Sequence, residues 1–365
     1  MRDIGCSEEE IFSSFSRYKE KDTPYHRILS SMCTRPHPIA ARAHAMFMET
    51  NLGDPGLFMG TASLEHLLIK RLGDLLHHHS VGGYATSGGT ESNIQALRIA
   101  KKIRPVERPN VIMPESGHFS FDKACDLLSI DIRAIPLDGN FRIQVDQIED
   151  QIDQNTIGVI AVAGTTEYGI VDPVRAVAEI AKDHGLFCHV DAAFGGLVLP
   201  FLDQPVPFDF SIPEVDSISV DPHKMGMSTI PTGCLLVRDT AHLSLLNIPT
   251  PYLTVKQEYT LMGTRSGGAV AGALAVLEYL GRSGMRAVVS GCMKNTRRLI
   301  DGMDAYGFAP AAWPDVNVAT FECPRPPAGW HVSWTRRGHL RIVCMPHVHR
   351  EMIEAFLEEV GEMCA

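Results

Sequence analysis

VRAVAEIAKDHGLFCHVDAAFGG, residues 174–196, decides the fold. Residues 174–184 read as a helix, 186–190 as an extended run that is apolar on both faces, and Asp191 closes that run before a loop of small residues. A strand apolar on both faces is covered on both, which is the pattern of a mainly parallel sheet clothed by helices. The alternation recurs on either side. Residues 90–102 and 121–128 read as helices, and 111–113, 157–162, 217–220 and 234–237 as strands. Upstream, 63–76 carries Leu64, Leu67, Leu68, Leu72 and Leu75 at helical spacing.

Past Arg238 the texture changes. Two helices are expected over 267–280 and 285–303, strands over 316–322 and 340–344, a proline-rich loop at 323–327, and a closing amphipathic helix over 348–360. The expected organisation is an α/β chain in three parts. An N-terminal arm, with a helix at 38–48, covers 1–50; a large domain covers 51–255; and 256–365 holds an interdomain helix and a small C-terminal α+β domain.

With 365 residues, 45% hydrophobic and 21% charged, the composition is that of a soluble globular protein and excludes disorder, collagen-like repeats and coiled coils. The net charge is −10, with acids spread along the chain, which argues against nucleic acid or an anionic membrane as main partner and favours a small metabolite. Nine cysteines without a C-x-x-C pair read as reduced thiols. MRDIGCSEEEIFSS has acids where a signal peptide would be apolar, and the most apolar long stretch, 185–202, is broken by His189 and Asp191; a cytoplasmic protein without a membrane span is expected.

Three elements carry chemistry. Thr86-Ser87-Gly88-Gly89-Thr90-Glu91-Ser92-Asn93 opens a helix with glycines, hydroxyls and free N–H groups, the parts of a phosphate cup; read alone, such a turn is more often an ordinary capped helix start. Asp191 ends an apolar strand at the usual ligand edge of a parallel sheet. It either caps the next loop or pairs with a cationic heteroaromatic nitrogen, with Ala193 small enough to let a flat ring lie against the backbone. Lys224, in Asp221-Pro222-His223-Lys224-Met225-Gly226, sits between a strand end and an apolar loop, where desolvation is expected to keep it unprotonated for Schiff-base formation, unless it is simply a surface lysine. The three together have one economical explanation, pyridoxal 5′-phosphate. Its phosphate goes to the cup, its ring nitrogen to Asp191 and its aldehyde to Lys224.

The ordered set S-G-G-T-E-S-N, H-F-S-F-D-K-A, G-T-T-E-Y-G, H-V-D-A-A-F-G-G and D-P-H-K-M-G resembles the group II pyridoxal-phosphate decarboxylases. N-L-G-D-P-G-L-F from Asn51 and Y-L-T-V-K-Q-E-Y-T-L-M-G-T-R-S-G from Tyr252 are most similar to the archaeal L-tyrosine/L-aspartate decarboxylases. The resemblance implies the fold type I, pyridoxal-phosphate-dependent transferase fold with a seven-stranded sheet, and a homodimer with shared active sites. It also implies decarboxylation of an L-amino acid: tyrosine to tyramine for methanofuran, aspartate to β-alanine for coenzyme A. The same scaffold supports glutamate decarboxylation or carbon–carbon cleavage of the sphingosine-phosphate lyase type.

Carried over by position, the resemblance puts Ser87, Gly88, Gly89, Thr90 and His223 at the phosphate, His118 on the ring, Thr166 near the ring's 3′-oxygen, and Asp191 and Ala193 at the ring nitrogen and opposite face. Tyr252 falls in a mobile loop whose tyrosine protonates the intermediate, Arg265 and Ser266 in a segment offered to the phosphate across the dimer, and Asn51 and Arg341 in the substrate pocket. Asp221 stands where several relatives have Asn. A carboxylate there repels phosphate, so it is expected to point away or to pair with a cation, and it is left outside the site. His77-His78-His79 cannot chelate one metal from consecutive helical positions, and no metal is expected.

Overall fold

A computed structural model describes residues 1–204, 206–323 and 325–364; Pro324, within the expected proline-rich loop, lies outside it. The chain begins with α1 (Glu8–Lys19) and α2 (Pro38–Met46), then α3 (Met59–Leu75) leads into β1 (Gly82–Thr86) and α4 (Gly89–Ile103). There follow β2 (Asn110–Pro114), α5 (Ser120–Leu128), β3 (Asp131–Ile135), β4 (Thr156–Val162), α6 (Val174–Asp183), β5 (Phe187–Asp191), β6 (Ser217–Val220) and β7 (Gly233–Val237). The second part holds α7 (Ala241–Ser244), the short pair β8 (Ile248–Pro249) and β9 (Gln257–Glu258), α8 (Gly267–Ala305), β10 (Val318–Phe321), β11 (Ser333–Trp334), β12 (Leu340–Val343) and α9 (Arg350–Cys364).

The first seven strands form one sheet in the order β1-β7-β6-β5-β4-β2-β3, mainly parallel as expected, with β7 antiparallel to both its neighbours. Every residue of β2, β4, β5, β6 and β7 is buried, because helices cover both faces. The C-terminal ends of β4, β5 and β6 therefore lie side by side at one edge, where loops are free to build a site. A second sheet, β10-β12-β11, forms the small lobe with α9.

The two helices expected after residue 267 are found end to end within α8, parted at Gly281, whose φ of 57° and ψ of −171° leave the helical region. Two differences from the sequence reading have physical causes. β3 was not expected, since it is an edge strand carrying Asp131 and Arg133 and is only half covered. α1 is helical despite burying none of its residues, nucleated by a capping box between Ser7 and Glu10.

The arm is stitched to the far end of the chain. Leu29 is fully buried, its N–H donates to His331 O at 2.8 Å, and its carbonyl accepts from Val343 N–H at 2.7 Å. Among the described residues no helix is long and apolar enough to cross a membrane.

Candidate active site

In-register pairing of β4, β5 and β6 builds the floor of the site. Asp191 lies opposite Ser219, and His189 opposite Ser217. Because side chains alternate along a strand, His189 and Asp191 share one face and both meet α4. Asp191 Oδ1 accepts from Ala193 N–H and from the Ser219 hydroxyl, each at 3.1 Å, and Oδ2 accepts from Asn93 Nδ2 at 2.9 Å. Burial alone would raise this carboxyl. Lys224, His118, His189 and the Ala193 amide outweigh burial and hold it below the usual carboxylate range.

The wall above is the start of α4. Gly88 caps the helix with φ 148°, a backbone that favours glycine, and no side chain occupies the helix's free N–H groups. A Cβ on Gly89 would stand 2.9 Å from Ala193 Cβ and 3.1 Å from Asp221 Oδ2, so the cup is cut to backbone dimensions. These walls enclose a cavity of about 240 Å³ lined by Ser87, Gly88, Gly89, Thr90, Asn93, Ser116, His118, Thr166, Asp191, Ala193, Asp221, His223 and Lys224, among others.

The structure thus brings together ten of the expected residues, from Ser87 to Lys224, and it adds Asp221. Asp221 Oδ2 lies 3.1 Å from Lys224 Nζ and 3.8 Å from His223 Nε2, while its buried Oδ1 has no partner. Of the two outcomes expected for this carboxylate, pairing with a cation is the one found, but it sits inside the site and not outside it. The expected state of Lys224 is corrected accordingly. Burial pulls its pKa down, yet Asp221 and Asp191 pull harder and leave it raised, so the free amine is held as a cation.

His118 Nδ1 accepts from Ser120 N–H at 3.2 Å, which leaves Nε2 to carry the proton, and burial holds the ring's pKa down. Arg341 is buried on β12 and donates through Nε to Thr166 O and through Nη1 to Ser30 O and Ser333 Oγ; its Nη2 is buried with no partner. Burial without a bonded carboxylate lowers it to about 10.

The remaining expected residues do not line this cavity within one chain. Tyr252 is 85% exposed on the loop before β9. Arg265 pairs with Glu65, donates to Ala85 O and Leu52 O, and lies over the Tyr84 ring. Ser266 caps α8 by accepting from Ala269 N–H, and Asn51 Oδ1 accepts from Arg265 N–H at 3.1 Å and Gly53 N–H at 2.8 Å. Arg265, Ser266 and the neighbouring Thr264 border a second cavity of about 380 Å³ that shares Ser87 with the first.

Sequence reasoning missed Asn93, Ser116, Ser219 and Arg336. Asn93 was legible in principle, since it lies one helical turn past the cup at Thr90, and Ser219 was legible from strand register. Arg336, from the small lobe, donates to Gly117 O at 3.1 Å and pairs with Glu167 at 3.3 Å, tying together the loops that carry His118 and Thr166. No sequence spacing signals that contact.

The residues present fit pyridoxal phosphate: a glycine cradle with free amides for a phosphate, an ionised, donor-saturated carboxylate beside a small alanine for a flat cationic ring, and a half-buried lysine between them. Comparison with known proteins agrees. Residues 60–307 match the pyridoxal-dependent decarboxylase conserved domain. The chain is 63% identical over 362 residues to a probable L-tyrosine/L-aspartate decarboxylase of Methanoculleus marisnigri, covering 99% of each chain. It is 46% identical over 359 residues to a probable L-aspartate decarboxylase of Archaeoglobus fulgidus, covering 96% and 98%. In fold it is similar to a sphingosine-1-phosphate lyase of Burkholderia pseudomallei, with a TM-score of 0.90 at 24% identity over 99% of this chain and 91% of that one. It is equally similar to a glutamate decarboxylase of Lactobacillus brevis, with a TM-score of 0.90 at 20% identity over 99% and 93%.

Proposed function

The chain belongs to the pyridoxal-dependent decarboxylase family, and from that premise we propose that it decarboxylates L-tyrosine and L-aspartate, giving tyramine and β-alanine for methanofuran and coenzyme A synthesis. The observation that carries the reading is the single cavity where Lys224, Asp191 and His118 meet the uncapped start of α4. Pyridoxal phosphate, when bound, supplies an aldehyde for amines and a ring that takes up the electron pair left by a departing carboxylate. The residues do the rest. The α4 amides, Ser87, Thr90 and His223 hold the phosphate, and Asp191 holds a proton at the ring nitrogen.

Lys224 must give up its extra proton before its nitrogen can form a bond, and Asp221 Oδ2, at 3.1 Å, is placed to receive it. His118 and Thr166 line the cavity in which the ring would lie. Arg341 Nη2, buried and unpartnered, is the group we assign to the substrate carboxylate, because a buried guanidinium gains most from a planar anion. A guanidinium that held that carboxylate in one orientation, away from water, would select the bond that breaks.

We also propose a homodimer in which the 252–266 segment completes the second copy's cavity, Tyr252 delivering the final proton and Arg265 and Ser266 flanking the phosphate. Support comes from the exposed apolar side chains Met48 and Met262, which line that segment's own cavity, from the further exposed Met46, Leu57 and Met59, and from α1, whose Phe12 and Phe15 are uncovered.

The test is carbon dioxide release by cofactor-loaded protein from a panel of L-amino acids. Tyrosine and aspartate are expected to lead; release from neither overturns the assignment. Mixing Lys224→Ala with Tyr252→Phe protein should restore part of the lost activity if sites are shared, and no recovery with mixed dimers present overturns sharing.

A further inference from the structure

Asn93 Nδ2 carries two hydrogens, and both are used, one on Asp191 Oδ2 and one on Ser120 Oγ, each at 2.9 Å. Its carbonyl oxygen, Oδ1, lies 3.0 Å from His189 Nε2 and can only accept. His189 must therefore carry its proton on Nε2, and its Nδ1, 2.8 Å from Ser217 Oγ, must accept from that hydroxyl. Turning the amide over would set its oxygen against the Asp191 carboxylate. A directed chain runs from Ser217 through His189 and Asn93 to Asp191, every member buried. Its direction is fixed by the one group that can only accept, the carboxylate at its end.

Nothing in this chain is needed to hold the sheet, whose backbone bonds are already paired. A leucine would fill the same volume with less buried polarity. What the chain accomplishes is to aim the carboxylate: with two donors on Oδ1 and one on Oδ2, Asp191 cannot rotate, and its remaining acceptor capacity faces the cavity.

We propose that Asn93 is a positioning residue for Asp191, locking the carboxylate toward the ring nitrogen and holding His189 in a single neutral form so that no second cation competes for that carboxylate. This rests on the cofactor reading above. The charged or titratable groups facing Asp191 are Lys224, His118 and His189, and the first two already lie on the cavity side. A neutral His189 leaves the carboxylate's charge to be answered from the cavity.

The test has two arms. In cofactor-free wild-type protein labelled with ¹⁵N-histidine, the His189 signal, assigned by its loss in His189→Gln, should show a protonated Nε2 and a bare Nδ1 at neutral pH. The opposite tautomer, or an imidazolium, overturns the proposal without any reference to cofactor or activity. In loaded protein, Asn93→Leu should lower kcat about ten- to a hundredfold, the ratio expected for one lost hydrogen bond to a charged group, with KM within about threefold. The visible band of the lysine-bound cofactor should change its position or its pH midpoint. Asn93→Asp, which keeps the shape but sets a second carboxylate against Asp191, should convert His189 to imidazolium near neutral pH. A folded Asn93→Leu protein with kcat and absorption unchanged overturns the proposal. If wild type itself shows no lysine-bound band, the cofactor reading fails instead, and the histidine spectrum still decides the hydrogen-bond chain.

Discussion

Asp191 and Asp221 end neighbouring strands and line the same cavity, yet they are treated in opposite ways. Asp191 receives three donors and is held ionised by its surroundings. Asp221 leaves Oδ1 bare and spends Oδ2 on the mobile charge of Lys224. A carboxylate satisfied by fixed dipoles is built to stay as it is; one satisfied only by titratable neighbours, Lys224 at 3.1 Å and His223 at 3.8 Å, is built to exchange a proton. The difference separates the permanent electrostatics of the site from its moving parts.

The hardest blow to this contrast is Lys224→Ala. It strips Asp221 of its partner but leaves Asp191 with its donors. Turnover should fall about 10⁴-fold or more, with no visible band and no cofactor fixed by borohydride. A residual rate within tenfold of wild type would remove Lys224 from the centre of the mechanism.

Asp191→Ala comes next. Loss of a preorganised charge at the ring nitrogen should cost about 10³-fold in kcat, while cofactor affinity falls much less because the phosphate cup is intact. Equal losses in both would mean that Asp191 serves binding only.

Asp221→Asn is the milder change. Since Asp221 raises the pKa of Lys224, its neutral replacement should let the amine lose its proton at lower pH. The pH profile of cofactor loading, followed by absorbance, should shift toward acid, with affinity at neutral pH changed by less than about tenfold. A shift toward alkaline pH would reverse the roles given to the two carboxylates.

The smallest effect is on stability. Burial holds His189 at about 4, below the ordinary histidine value of about 6.5. Between those values the unfolded chain binds a proton that the folded chain refuses. The contribution is therefore fully present above about pH 6.5 and is lost as pH falls toward 4. Urea midpoints at pH 7 and pH 5 should differ less in His189→Gln than in wild type; an unchanged difference would mean that other groups set the slope.

Most of this is legible in the sequence. Strand ends at Val162, Asp191 and Val220 follow from apolar runs stopped by polar or small residues, and the cup, the aspartate and the lysine were identified because three weak signals share one explanation. The state of Lys224 was not legible, since it depends on a turn that folds Asp221 back onto the residue three places later. Nor were the partners of Asn93, which lie on a strand about a hundred residues away. Register and helix facing create such contacts, and composition carries no trace of them.

The stitching of Leu29 to His331 and Val343 bears on the order in which the protein comes into being. A chain that leaves the ribosome from its first residue presents Leu29 some three hundred residues before either partner exists. The large sheet is complete by Val237 and can close on its own core in the meantime. The arm must wait, an apolar segment without its seat, until the small lobe emerges. Ser30, whose carbonyl accepts from Arg341, waits with it. The pocket we assign to the substrate carboxylate thus cannot be finished until the small lobe has emerged, and a nascent chain cut short of that lobe would own the cofactor cup without the means to hold a substrate.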